Sequence, residues 1–147
     1  MHASAARPVH ALISTYAESH QNPVNEIIHF ICVPAIVFSV LGLGWALHPL
    51  VAIGMVLASL LYYLTLSMPM AFGMALMSGL MLWLLKLMPQ DLVWQISLAV
   101  FVIAWIGQFI GHKIEGRKPS FFDDLRFLLI GPLFVLGFLY RRLHLDY

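Results

Sequence analysis

Residues 25–46 read NEIIHFICVPAIVFSVLGLGWA, an apolar run whose charged and imidazole side chains, Glu26 and His29, both lie near its start. The hydrocarbon core of a bilayer takes about 20 apolar residues at roughly 1.5 Å of rise each, so this run predicts a transmembrane helix. Three further runs meet the same requirement, at about 49–67, 70–88 and 92–112. Pro49, Pro69 and Pro89 fall at segment boundaries, where a missing N–H costs least, and this punctuation separates four helices rather than two long ones. The expected fold is an all-α membrane protein with four transmembrane helices.

Composition points the same way. Of 147 residues, 61% are hydrophobic and 10% charged, with a mean hydropathy of +0.89. A soluble domain is roughly 45–50% apolar and about a quarter charged, and one of this size has too much surface per volume to hide the excess. Lipid covers that surface instead. The length fits a single integral membrane domain over 1–147. A net charge of +1 gives no basic patch for nucleic acid. The single cysteine, Cys32, excludes an internal disulfide and reads as a small buried hydrophobe. Residues 1–21 lack an apolar h-region, so the first membrane helix is expected to serve as the targeting signal.

A fifth apolar stretch, 127–140, is too short to span and contains Gly131-Pro132. It predicts a re-entrant hairpin, or a short helix lying in the interface. Gly54, Ala58, Gly73 and Gly79 are candidates for close helix approach, and the methionines at 68, 70, 74, 77 and 81 read as gap-filling or lipid-facing. Trp94, Trp105, Tyr62 and Tyr63 read as interfacial belt or packing residues.

With four spans, all the basic residues except Lys86 share a side with both termini. The positive-inside rule then puts both termini in the cytoplasm. The same topology carries His20, His29 and His112, nearly a hundred positions apart, to one depth at the cytoplasmic interface. His2, His10, His48 and His144 fall in tails or on the opposite loop and are expected to do no chemistry.

Two clusters hold the candidate chemistry. In the first, Asn22 caps a helix opened by Pro23, and Asn25 and His29 share a face. In the second, His112 and Glu115 share a face, with Gly111 and Gly116 permitting close backbone approach and Pro119 ending the segment. Neutral imidazoles with a carboxylate nearby suit a divalent iron and leave coordination positions open. Glu115 and Asp123 are the acids in reach, while Asn25, Gln108 and Glu26 are available to hydrogen-bond the imidazoles and fix their tautomers. A lone interfacial histidine is more often only a wet interface residue; three at one depth with acids beside them point to a metal. Lys113, Arg117 and Lys118 read as positive-inside anchors, or as binders of a substrate carboxylate.

At these clusters the sequence resembles the membrane-bound 2-hydroxy fatty acid dioxygenases. The matching residues are His20, Asn22-Pro23, Asn25, His29 and Val33-Pro34, then Trp105, Gln108-Phe109, Gly111-His112, Glu115, Arg117-Lys118-Pro119, Asp123 and Leu125, and finally Gly131-Pro132-Leu133-Phe134. The resemblance implies an Fe(II)-dependent α-oxidation, in which a 2-hydroxy fatty acid and O₂ give a fatty acid one carbon shorter plus CO₂. It implies His20, His29 and His112 as catalytic iron ligands, with Arg117 or Lys118 steering the carboxylate. An acid that family members often carry after the Gly-Pro-Leu-Phe block is replaced here by Phe138. The expected location is a bacterial inner membrane, or the endoplasmic reticulum of a eukaryote, with the site facing the cytoplasm; oligomeric state is left open. The competing readings are a non-enzymatic carrier or assembly partner with interfacial histidines, and a two-iron lipid hydroxylase or desaturase, which needs more histidines than this face offers.

Overall fold

A computed structural model describes residues 8–116 and 128–147. Among these residues the regular structure is entirely helical: α1 (Pro8–Glu18), α2 (Pro23–Leu47), α3 (Pro49–Leu66), α4 (Met68–Leu87), α5 (Val93–Glu115) and α6 (Ile130–Arg142). Helices α2 to α5 are each long and apolar enough to cross a membrane.

Their boundaries follow from local chemistry. The Asn22 side chain accepts the Val24 N–H at 2.9 Å ahead of Pro23, as expected. His48 closes α2 by donating its own N–H to Gly44 and opens α3 by accepting the Leu50 N–H on Nδ1. This histidine, between α2 and α3, therefore has a structural task. Ser67 likewise caps α4 through its side chain. Gly116 ends α5 in the left-handed region at φ 76°, its N–H turned back to the His112 and Lys113 carbonyls. No atom stands within 4 Å of where its Cβ would be, so Gly116 serves as a cap and not as a close-approach residue.

Polarity is arranged inside out relative to a water-soluble bundle. Asn25, His29, Ser39 and Ser97 are buried, whereas Leu47, Leu57, Leu61, Phe72 and Ile103 face outward. Lipid is the solvent that such a surface suits. Trp94 is exposed as a belt residue would be, while Tyr63 is buried and donates its hydroxyl to the Leu129 carbonyl at 2.8 Å.

Helices α2 and α5 form the principal seam. A Cβ on Gly42 would run into the Ser97 side chain, one on Gly107 would stand 2.6 Å from Cys32 Sγ, and one on Gly111 would strike Asn25 Oδ1. Small residues thus bring the two backbones together where no apolar solvent force does so. Of the close-approach residues expected in α3 and α4, Gly73 alone behaves so, against Tyr140. Gly54 and Gly79 face open space and Ala58 is exposed, because they lie on the outward faces. Met70, Met74 and Met81 fill the interior, while Met68 faces outward.

Within the fifth apolar stretch, Ile130–Arg142 forms a single helix, α6, in line with the short-helix alternative rather than the hairpin. Pro132 sits in its first turn, where the ring removes an N–H that has no helical partner, so the chain continues without a break. Helix α6 packs against α1, α2 and α4, and Tyr140 donates to the Pro69 carbonyl at 2.7 Å. The remaining element, α1, buries Val9, Ile13 and Tyr16 along one face. His10 in α1 stacks on Tyr147 and contacts its main-chain oxygen at 3.0 Å, which ties α1 to the segment after α6.

Candidate metal centre

The three histidines expected at one depth converge. His20 follows the last turn of α1, His29 sits two turns into α2, and His112 lies in the last turn of α5. All three are buried, and one ring nitrogen from each lies within 4.8 Å of the others. Their rings meet edge to face, with centroids 4.0 Å apart for His20 and His29, 5.3 Å for His29 and His112, and 5.8 Å for His20 and His112.

Hydrogen bonding determines which nitrogens are available. His20 Nδ1 is 2.7 Å from the Tyr16 carbonyl oxygen, and His29 Nδ1 is 2.9 Å from that of Asn25. A carbonyl only accepts, so each Nδ1 carries the proton and each Nε2 is left with a lone pair. Those two Nε2 atoms face one another at 2.7 Å. Neutral imidazoles in these tautomers cannot hydrogen-bond to each other. A metal ion held by both would satisfy the two lone pairs at once, with His112 as a third donor. The donor set therefore fits a metal.

The expected side-chain partners do other work. Tautomers are set by main-chain carbonyls, leaving Asn25 free to donate its side-chain amide to Glu115 Oε2 at 3.0 Å. Glu115 also accepts the Gln21 and Asn22 N–H groups at 3.1 and 3.0 Å. Its carboxylate ties α5 to the turn between His20 and α2, and it lies outside the three-histidine group. Glu26 occupies the first turn of α2, where its charge complements the positive helix end, and makes no hydrogen bond to the histidines. Gln108 is buried, and its Nε2 has no hydrogen-bond partner among the described residues. Asp123, Arg117 and Lys118 lie outside the described residues.

Two aromatic residues complete the surroundings. Tyr16 stacks on His20 at 4.3 Å and 11°, and Phe134 of α6 stands 5.1 Å from Tyr16 and 5.9 Å from His20. Neither role was assigned from the sequence. Tyr16 lies four residues before His20 on a helix whose apolar spacing, Val9-Ile13-Tyr16, was a signal that could have found it.

Fold and site together define a class: a small helical protein with four membrane-length apolar helices and a buried three-histidine centre able to hold a metal ion. The chain belongs to the Mpo1-like family, whose model, described as 2-hydroxy-palmitic acid dioxygenase Mpo1-like, matches residues 6–143. It is 37% identical over 135 residues to the 2-hydroxy-palmitic acid dioxygenase MPO1 of Saccharomyces cerevisiae, an alignment spanning 82% of this chain and 73% of the relative. No solved structure matches.

Proposed function

We propose that this protein is an Fe(II)-dependent dioxygenase that shortens 2-hydroxy fatty acids by one carbon, converting the acid and O₂ to the shorter fatty acid, CO₂ and water. The observation that carries the reading is the pair of Nε2 lone pairs on His20 and His29 facing each other at 2.7 Å, with both Nδ1 atoms committed to carbonyls. Family membership supplies the substrate class. Iron held by His20, His29 and His112 would supply the redox chemistry with O₂.

The chain's own groups supply the rest. Tyr16 and Phe134 exclude water from the His20 side of the centre. Main-chain carbonyls hold the protons on Nδ1 and keep Nε2 basic. Glu115 fixes the turn that carries His20 relative to α5. Arg117 and Lys118, two and three residues beyond the end of α5 in sequence, would attract the substrate carboxylate at the membrane surface. The excess of Lys and Arg on one side orients both termini and the centre toward the cytoplasm.

The test is to load purified protein with Fe(II) without oxygen, add a long-chain 2-hydroxy fatty acid and O₂, and analyse the lipid by mass spectrometry. An acid one carbon shorter, lost with chelator and in His112→Ala, is the expected result. Stoichiometric metal with no shortened acid overturns the substrate assignment. Neither metal nor product overturns the enzymatic reading in favour of a carrier or assembly partner.

A further inference from the structure

A substrate with a polar head and a long acyl tail needs two environments, and the interior provides both beside the histidines. Gln108 lies one turn before His112 on α5, is 5% exposed, and leaves its Nε2 donor without a partner among the described residues. A buried, unmade hydrogen bond destabilises the folded state and calls for an explanation. Gln108 lines a small cavity with Tyr16, the residue stacked on His20, and with Trp105 and Leu128. Leu128 also lines a second cavity, a partly open one of about 120 Å³ between α2, α3 and α4. That volume is on the scale of the roughly 150 Å³ apolar cavities that take a small hydrocarbon. Its walls are apolar, including Val37, Val56, Leu60 and Met74. Ile36 and Val37, like Gly131 and Pro132, are neighbours in sequence that line the first and second cavity respectively.

We propose that these cavities form one binding track, in which the Gln108 amide donates to an oxygen of the substrate's head and the cavity between α2, α3 and α4 takes the acyl tail. The proposal rests on the dioxygenase reading for its substrate class. It assigns head recognition to Gln108, and chain-length selection to the residues lining the cavity around Val56, Ser59 and Met74. An unpaired donor is then a stability cost retained for binding.

The experiment uses the full chain in nanodiscs, loaded with Fe(II) and kept oxygen-free, with a 2-hydroxy fatty acid carrying a diazirine at its tail end. Crosslinks are expected on Met55, Val56, Ser59 or Met74, and an unlabelled 2-hydroxy fatty acid should suppress them. Ser59→Phe, which fills the cavity, should weaken binding of long chains relative to short ones by about tenfold or more with metal content unchanged. Gln108→Leu should weaken binding of every chain length by about tenfold, the worth of one hydrogen bond to a charged group, and raise the Tm of the ligand-free protein. Crosslinks on the outward residues Leu57, Leu61 or Leu76, unaffected by competitor, would mean that only bilayer lipid meets these helices and would overturn the proposal. So would Gln108→Leu with unchanged binding and a lower Tm. Competed crosslinks within the cavity but no shortened acid in the turnover assay would leave the track standing and remove the reaction. Turnover with crosslinks elsewhere would do the reverse.

Discussion

The Glu115 carboxylate, at the end of α5, accepts the Asn22 N–H at 3.0 Å across a separation of 93 residues. It bonds the Gln21 N–H and the Asn25 amide as well, so one side chain sets the distance between His112 and the segment that carries His20 and His29. Groups that hold ligands in place without touching the metal commonly govern affinity by about 10–100-fold. Glu115→Ala should weaken metal binding within that range while leaving three histidines able to bind. Titration of the chelated protein with Fe(II) or Zn(II) measures it; complete loss of binding would instead make Glu115 a direct ligand.

Removing His29 takes away one of the two facing lone pairs. His29→Ala should abolish stoichiometric iron and turnover while membrane insertion persists, since the apolar span is unaltered. Metal analysis of membrane-extracted protein, beside a protease-accessibility map, checks both halves. Full activity in this variant would sink the ligand assignment.

Metal should also stabilise the fold, because its ligands come from three separate elements. At a free metal concentration a hundred times Kd, mass action contributes about 2.7 kcal/mol. Chelator should therefore lower the Tm of the native protein and leave that of His112→Ala unmoved, as read by thermal unfolding in detergent.

Gly111→Ala should separate α2 from α5, because the added methyl would collide with Asn25 Oδ1. Overpacking of this kind costs about 1–3 kcal/mol, and metal affinity should fall with it because His29 and His112 lie on the separated helices. Gly54→Ala is the control. Nothing stands within 4 Å of its Cβ position, so it should be neutral or slightly stabilising.

Tyr63→Phe deletes the hydroxyl bond to the Leu129 carbonyl, worth about 1 kcal/mol. It should lower the Tm modestly with metal content unchanged. A loss of metal would mean that the segment before α6 is coupled to the histidines.

The four spans and the convergence of three histidines were legible because bilayer thickness and the even number of crossings govern both. The hydrogen bonds to the imidazoles were not, since the Tyr16 and Asn25 carbonyls that accept them are main-chain groups with no side-chain signature. Gly131-Pro132 read as an interruption because a proline inside a helix breaks it, whereas in a first turn it does not. Which glycines are useful was not legible from spacing: Gly107 and Gly111, four apart on α5, face α2, but isolated Gly73 meets Tyr140 while isolated Gly54 and Gly79 face outward. Helix α1 was missed because a short amphipathic helix contributes little to hydropathy. Its one buried face matters only once α6 is present to cover it.

The pairing of α2 with α5 also imposes an order in time. His29 leaves the ribosome long before His112, and at roughly 5–20 residues per second the interval between them is on the order of ten seconds. Throughout it the nascent chain holds two of its three ligands in a helix and turn whose partner has yet to be made. A metal that needs all three histidines would therefore arrive only as a closing act of biogenesis, once the last long helix has been made and seated against α2.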